Sequence, residues 1–201
     1  MPVLQKKLHD EKWFGSDEQF DLLYPGPIRA LAQRHWTPLH IARKAANFLA
    51  AEANVKILDI GSGVGKFCLG AAYYKPNAFY FGVEQRNSLV TLAETTRKTL
   101  HLEKVFFQHR NFTQLDLKHY DHFYFYNSFF ENLSGTNKID DSIEYSGELY
   151  NYYNRYLYRQ LDQLPAGTRL ATYHSLEDEV PRCFHEVGSS MDNILKYWIK
   201  V

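Results

Sequence analysis

The sequence predicts an α/β protein, a three-layer α/β/α sandwich on a seven-stranded, mostly parallel sheet. Seven β-rich runs follow one another along the chain, and helical patterns precede the first run and separate most of the first five. Strands that alternate with helices are parallel and joined by right-handed crossovers, so helices cover both faces of the sheet. The last two runs have no helix between them, so they pair as an antiparallel ribbon. The final strand is therefore predicted to insert antiparallel into an otherwise parallel sheet.

Composition limits the classes of function. The chain has 201 residues, and 23 Lys and Arg balance 23 Asp and Glu, so no overall positive field holds nucleic acid. The two cysteines, Cys68 and Cys183, lack a metal-ligand spacing, which favours a reduced, cytoplasmic protein without a metal site. The sequence shows neither a signal peptide nor an apolar run long enough for a membrane span.

The elements can be assigned in chain order. Residues 1–36 form a mixed amino-terminal extension with short helical pieces, and 37–201 form the main domain. The first clear helix covers 38–52, because Thr37 is a good N-cap and Pro38 suits the first helical position. The patterns that follow predict strands at 55–60, 79–84, 105–109, 122–127, 168–174, 183–190 and 194–201, and helices at 66–74, 88–102 and 148–164.

A glycine turn, "GSGVG" at 61–65, joins the first strand to a helix. Without Cβ atoms the backbone bends sharply and lets a ligand approach it, and the helix N-terminus offers free N–H groups. A phosphate-binding P-loop would need Gly at position 60 and Ser or Thr after Lys66, where Ile60 and Phe67 stand. A dinucleotide fingerprint would need Gly in place of Lys66, so neither motif is satisfied.

Two acids flank the turn in the order strand, acid, glycine turn, helix, strand, acid. Asp59, two residues before Gly61, would repel a pyrophosphate but suits a ligand that carries an ammonium and a sulfonium. S-adenosylmethionine (SAM) carries both groups. Glu84 ends the second strand, where a carboxylate can accept both ribose hydroxyls.

With "LDIGSGVG", "FGVE" and the terminal ribbon, residues 37–201 resemble the class I SAM-dependent methyltransferases, which have a Rossmann-like fold. The resemblance implies that the turn glycines pass beneath SAM, that Asp59 lies near its amino-acid part and that Glu84 holds the ribose. Asn111 and Phe112 take the place of the adenine contacts, and Thr37 is a candidate contact at the methionine end. The full set of candidate cofactor residues is Thr37, Asp59, Gly61, Ser62, Gly63, Gly65, Glu84, Gln85, Asn111, Phe112 and Asn127.

Within that family the motifs are similar to those of the non-SET histone-lysine methyltransferases, the disruptor-of-telomeric-silencing type. Those enzymes share a "D-x-G-S-G-V-G" turn, "G-V-E", a polar residue followed by Phe after the third strand, and "N-x-F" after the fourth. The long amino-terminal domain and the basic nucleosome-binding tail of those enzymes have no counterpart in this chain. The likeness therefore implies a site that methylates an amine and says nothing for a histone substrate.

Methyl transfer requires orientation of the acceptor, exclusion of water and, for a charged amine, loss of a proton. Asn127 is predicted at the end of the fourth strand, where its carbonyl oxygen can accept a hydrogen bond from the acceptor N–H. Phe129 and Phe130 can stack on a planar acceptor or surround a cationic amine. His35 and the other histidines fit no ligand spacing and are interpreted as ordinary polar residues.

Three functions remain open from the sequence. The first is transfer of a methyl group from SAM, with S-adenosylhomocysteine as product, to a nitrogen of a protein side chain or a small amine. The second is methylation of an RNA or DNA base, which is less favoured because "NSFF" lacks the two prolines of amino-directed nucleic-acid methylases. The third is a SAM-binding module without transferase activity. The class of the acceptor and the oligomeric state cannot be read from the sequence.

Overall fold

The structure is a computed structural model that describes residues 12–175 and 177–201, without the side chain of residue 177. Most of the charged start of the predicted extension lies outside these residues. The helices are α1 Asp17–Asp21, α2 Gly26–Arg29, α3 Ala32–His35, α4 Leu39–Leu49, α5 Lys66–Tyr74, α6 Asn87–Thr99 and α7 Gly147–Asp162. The strands are β1 Lys56–Ile60, β2 Phe79–Glu84, β3 Val105–His109, β4 His122–Phe125, β5 Arg169–Tyr173, β6 Phe184–Ser190 and β7 Leu195–Lys200.

The strands form one seven-stranded sheet in the order β3-β2-β1-β4-β5-β7-β6. β1 lies in the interior of the sheet and runs parallel to β2 on one side and to β4 on the other, and β5 is parallel to β4. β7 inserts between β5 and β6 and is antiparallel to both. The predicted fold class and the position of the terminal ribbon are therefore confirmed.

Alternate residues of the strands feed two cores, one on each face of the sheet. Ile57 of β1 joins the core that includes the apolar stripe of α4, such as Ile41 and Leu49. Leu58, the next residue, points to the opposite core, where Leu157 and Leu161 of α7 cover the sheet. This alternation follows from the two-residue period of a strand and produces the three layers.

Several helix ends shift by one to three residues from the prediction, and two differences lie close to the cavity. Pro38, not Thr37, is the N-cap of α4, and the first backbone N–H of the helix, that of Leu39, donates instead to Oδ1 of Asp17 at 2.9 Å. Thr37 instead shares a hydrogen bond of 3.0 Å between its Oγ1 and the hydroxyl of Tyr124. β4 ends at Phe125 rather than 127, because Asn127 adopts a φ of 38°, which no extended strand tolerates.

The described part of the amino-terminal extension packs on the main domain. Phe20, Tyr24 and Trp36 are buried in the same core as α4 and α5. Lys66, the first residue of α5, is almost fully buried and pairs with Asp17 at 2.7 Å and Asp21 at 2.6 Å. These contacts place residues 17–36 against the glycine turn, and the division into an extension and a domain at 36/37 stays a prediction.

Within the described residues, the helices are all too short or too polar to cross a bilayer. The same residues contain no group of three or more His, Cys, Asp or Glu side chains that could hold a metal ion.

Candidate active site

A cavity of about 540 Å³ opens at the carboxyl ends of β1, β2 and β4. This is the edge at which parallel sheets bind ligands, and the volume is typical of small-molecule sites. Eleven of the residues proposed from the sequence line it: Thr37, Asp59, Gly61, Ser62, Gly63, Glu84, Gln85, Phe112, Asn127, Phe129 and Phe130. Gly65 and Asn111 are not part of the lining.

The glycine turn forms the floor of this cavity. Gly61, Gly63 and Gly65 have φ values of 77°, 53° and 83°, in the left-handed region that glycine adopts at little cost. A Cβ on Gly61 would lie 2.4 Å from Cβ of Ser128, and one on Gly65 would lie 2.3 Å from the ring of Phe107. A Cβ on Gly63 would meet nothing within 4 Å, so the backbone there is open to a ligand.

Ser62 supports the turn from below. Its Oγ would lie 2.6 Å from a Cβ on Gly82, so the side chain rests on β2, and the hydroxyl has no hydrogen-bond partner among the described residues. The backbone N–H groups of Gly61 and Ser62 both donate to the carbonyl oxygen of Val83, at 3.0 and 2.9 Å. The turn is thus anchored to the neighbouring strand.

Asp59 is a buried carboxyl at the amino end of the turn, 3% exposed. The thiol of Cys68 donates a weak hydrogen bond to its Oδ2 at 3.7 Å. Burial raises the pKa of Asp59 to about 8. A cation that entered the cavity beside this carboxyl would favour its ionised form, and the ammonium of an amino acid has the required charge.

Glu84, 5% exposed, has most of its acceptor capacity occupied by the chain itself. Its Oε2 accepts the backbone N–H of Gly63 at 3.1 Å, which links the end of β2 to the turn. Its Oε1 accepts the backbone N–H of Arg86 at 2.9 Å and Nη1 of the same residue at 3.3 Å. Of the roughly four acceptor positions of a carboxylate, about one remains free.

The structure does not bring Asn111 to the cavity as the resemblance implied. Its Nδ2 donates to Oε1 of Gln85 at 3.0 Å and to the hydroxyl of Tyr153 at 2.9 Å. Its Oδ1 accepts the backbone N–H of Thr113 at 3.0 Å and the hydroxyl of that residue at 2.9 Å. Because an amide offers two donors and two acceptor positions, Asn111 has none left for a ligand and instead orients Gln85.

Phe112 lines the cavity as part of an aromatic cluster. Its ring stacks on Phe129 with centroids 4.9 Å apart and an interplanar angle of 26°. Phe129 also contacts Phe125 and Tyr153 and is only 5% exposed, whereas Phe130 is 48% exposed. Phe130 is therefore the aromatic side chain of this segment that is free to contact an acceptor.

Asn127 projects from a turn fixed on both sides. Its backbone carbonyl accepts the N–H of Phe130 at 3.0 Å, and the next residue, Ser128, donates its hydroxyl to the carbonyl of Ile60 at 2.6 Å. The side-chain amide of Asn127 makes no hydrogen bond within the described residues, although it lines the cavity. A polar side chain on a constrained left-handed residue, with its amide unused, is typical of a functional position.

Sequence reasoning missed several residues of this cavity. Arg34, His35, Arg86, Glu131 and His174 all belong to the lining. His174 directly follows β5, so the strand-end rule that selected Asn127 could have found it. The others come from the amino-terminal helices, the turn after β2 and the loop after β4, and carry no local signal.

The cavity fits SAM in three respects: the open backbone at Gly63, the buried carboxyl of Asp59 for an ammonium, and the remaining acceptor position of Glu84 for a ribose hydroxyl. The fold and the cavity thus define a class of protein, the Rossmann-like proteins that bind a nucleoside cofactor at the carboxyl ends of parallel strands. Which member of that class the chain represents follows from comparison with known proteins.

The family profile described as "Methyltransferase domain" matches residues 51–154. The chain belongs to this family, the class I SAM-dependent methyltransferases, and its cofactor is S-adenosylmethionine. A search of curated proteins finds no match.

Solved structures support the fold. TrmN from Thermus thermophilus has a TM-score of 0.59 at 16% identity, with 87% of this chain and 52% of that chain covered, so this chain spans about half its length. A SAM-dependent O-methyltransferase from Thermotoga maritima has a TM-score of 0.58 at 17% identity, covering 88% and 72%. An RNA methyltransferase from Salinibacter ruber, in complex with S-adenosyl-L-homocysteine, has 0.52 at 16%, covering 88% and 92%.

Proposed function

We propose that this protein transfers the methyl group of SAM to a nitrogen of a protein side chain or a small amine. The observation that carries the proposal is the unused amide of Asn127, held on a left-handed residue at the cavity. SAM supplies a carbon already activated by sulfonium, so the chain needs no nucleophile of its own. What the chain must provide is binding, orientation and a destination for a proton.

For binding, Asp59 and the backbone of the glycine turn would hold the amino-acid part, and Glu84 the ribose. Gln85 follows Glu84 directly in the sequence and is oriented by Asn111, and Phe112 lines the same cavity from the turn after β3. The stack of Phe112 on Phe129 holds its ring in place. These groups fix the cofactor side and leave the segment from Asn127 to Phe130 for the acceptor.

For orientation, Oδ1 of Asn127 would accept a hydrogen bond from the acceptor N–H and so aim the nitrogen lone pair at the methyl group. The geometry of this step depends on Ser128, whose hydroxyl fixes the turn to the end of β1. Phe130, with half of its side chain exposed, would stack on a planar acceptor or contact a cationic amine by a cation–π interaction.

For the proton, His35 and His174 are the candidates in the described lining. Burial lowers the pKa of His35, and burial lowers the pKa of His174 as well. Both imidazoles are therefore neutral at pH 7, and neither ring has a hydrogen-bond partner among the described residues. A neutral ring nitrogen facing the cavity can accept the proton that the acceptor nitrogen loses.

A second candidate function is methylation of an RNA base. Arg34 and Arg110 line the cavity, and neither forms an ion pair within the described residues, so both are able to bind phosphate. One of the similar structures, the Salinibacter ruber protein, is an RNA methyltransferase. The balanced net charge and the absence of the two prolines keep this candidate in second place.

The test is a labelled-SAM assay against cell extract fractionated into protein, RNA and small molecules, together with calorimetry of S-adenosylhomocysteine binding. We expect label in a nitrogen of the protein or the small-molecule fraction, with Asn127→Ala as the inactive control that still binds the product. Label confined to RNA would favour the second candidate. Binding without any labelled fraction would reduce the protein to a SAM-binding module, and no binding would refute the proposal.

A further inference from the structure

Arg86 connects two parts of the cavity that are far apart in the sequence. It follows β2 by two residues and is 4% exposed. Its Nη1 contacts Oε1 of Glu84 at 3.3 Å, and its Nη2 contacts Oε2 of Glu131 at 2.8 Å. Its Nε contacts Oδ1 of Asp140 at 3.2 Å, and its Nη2 also donates to the hydroxyl of Tyr145 at 2.6 Å.

The three partners beyond Glu84 all lie in one segment, residues 131–145, which we call the 131–145 loop. This segment has no helix or strand apart from the end of a short 3-10 turn. It nevertheless forms part of the cavity wall, because Glu131, Asn137 and Ile139 line the cavity. The loop therefore depends on side-chain contacts for its position, and Arg86 supplies the largest group of them.

The charges around Arg86 are balanced against burial. Burial by itself lowers the pKa of Arg86, but the carboxylates of Glu131 and Glu84 raise it by more than burial lowers it. The net effect is a raised pKa, so the guanidinium stays protonated. A planar guanidinium offers five donors in a fixed fork, and four contacts in different directions use that geometry. The single ammonium of a lysine cannot reach Glu84 and the loop at the same time with such spacing.

The contact between Arg86 and Glu84 is the longest of the four, and it uses an acceptor position that a ribose would need. Glu84 has about one position free, whereas two ribose hydroxyls need two. Of the three donors to Glu84, Nη1 makes the longest contact and belongs to a side chain that has other partners, so it is the one we expect to leave Oε1 when both hydroxyls bind. The guanidinium is then held by the loop partners alone, and its charge is no longer shared with Glu84.

We propose that Arg86 is a positioning residue that couples the ribose site at Glu84 to the 131–145 loop, so that cofactor binding orders this loop, which continues the cavity wall beyond the acceptor segment 127–130. This inference rests on the proposed function, because it takes SAM as the ligand of Glu84. The consequence is an order of events in which the cofactor binds first and the 131–145 loop becomes ordered second.

The test is hydrogen–deuterium exchange of the intact protein, measured by mass spectrometry with and without saturating S-adenosylhomocysteine. Arg86→Lys is compared with wild type and with Arg97→Lys, a matched control on α6 whose guanidinium pairs only with nearby groups such as Glu94. Without ligand, we expect exchange in the 131–145 loop to be about tenfold faster in Arg86→Lys than in wild type, because the charge-assisted hydrogen bonds from the guanidinium to the loop are lost. The Arg97→Lys control should match wild type.

With ligand, wild type should show slower exchange both at the glycine turn and in the loop, whereas Arg86→Lys should show it at the glycine turn only. Equal loop exchange in Arg86→Lys and wild type, in both states, would overturn the role of Arg86. Protection of the glycine turn without protection of the loop in wild type would overturn the coupling. Failure of the ligand to protect the glycine turn would refute the proposed function, while the ligand-free comparison still tests the hold of Arg86 on the loop.

A second variant guards against misfolding of Arg86→Lys. Tyr145→Phe keeps the ring that contacts the guanidinium and removes only the hydroxyl. That hydroxyl accepts a hydrogen bond from Nη2 of Arg86 and donates one to the backbone carbonyl of Asp140 at 2.6 Å. We expect faster exchange in the loop by severalfold with S-adenosylhomocysteine affinity within about twofold of wild type. Unchanged loop exchange would contradict the proposal independently of Arg86.

Discussion

Replacing Asp59 with Asn should stabilise the ligand-free protein while weakening its cofactor site. Burial raises the pKa of Asp59 from 3.8 to about 8, so the folded protein retains a proton that the unfolded chain releases above pH 4. The unfolded state therefore binds fewer protons between these values, and the stability of wild type falls as pH rises from about 4 to about 8. An asparagine does not titrate and avoids this loss.

The magnitude follows from the two pKa values. Between these pKa values only the folded state holds the proton, so each rise of one pH unit lowers the free energy of unfolding of wild type by about 1.4 kcal/mol. The difference in this free energy between Asp59→Asn and wild type should therefore widen by about 3 kcal/mol between pH 5 and pH 7. The change of the gap with pH is the relevant quantity, because any packing difference between the two side chains is independent of pH.

The measurement is urea denaturation of both proteins at pH 5, 6 and 7 without cofactor, with Asp141→Asn, an exposed aspartate, as the control. In the control the gap should stay constant, because the side chain remains in water. A gap for Asp59→Asn that is constant or shrinks with rising pH would show that Asp59 is not a buried protonated carboxyl, and the reasoning about its cationic partner would fail with it.

Four further outcomes are expected. S-adenosylhomocysteine should bind wild type more tightly as pH rises from 6 to 8, because its ammonium favours the ionised form of Asp59. Binding at pH 7 should therefore release the proton of Asp59, which calorimetry in buffers of different ionisation enthalpy detects. Asn127→Ala should keep product affinity within about twofold yet lower turnover by about a hundredfold, and retained turnover would make the residue structural. Gly61→Ala, with a Cβ 2.4 Å from Ser128, should lose about 3 kcal/mol of stability and most cofactor affinity, whereas Gly135→Ala, at φ 78° in open space, should lose about 1 kcal/mol, as thermal unfolding would show. If His35 accepts the proton, turnover should fall as pH drops through its lowered pKa, and His35→Ala should remove that limb of the pH profile.

The lining of the cavity around the glycine turn could largely be predicted, because its signals are local. The glycines of the 61–65 turn are required by left-handed φ values and by close approach of Ser128 and Phe107, and such steric demands appear directly as residue type. Asp59 and Glu84 could be placed because strand ends and helix starts are visible as changes of hydrophobic period. Thr37 was expected both as the N-cap of the first helix and as a contact at the methionine end; the N-cap assignment was wrong, and the side chain lines the cavity.

The acceptor side could be predicted only in part. Asn127 was identified as a strand end, but its left-handed backbone and its exposed neighbour Phe130 depend on how the turn after β4 meets the end of β1. Asn111 was expected to face the cofactor, and the structure uses its four hydrogen-bonding positions on Gln85, Thr113 and Tyr153. The residue type shows how many hydrogen bonds an amide side chain can donate and accept. Its actual partners depend on which other segments the fold brings within hydrogen-bonding distance.

The sequence by itself determined the sheet, its parallel order with the antiparallel ribbon, and the glycine turn that lines the cavity. These follow from periodicity and backbone sterics, which act over a few neighbouring residues. Only the tertiary structure decided that Arg86 holds Glu131 and Asp140, 45 and 54 positions away, and that His35 reaches the cavity from the amino-terminal helices. Hydrogen bonds and ion pairs have a range of a few ångströms, so contacts between distant segments exist only once the core has brought those segments together.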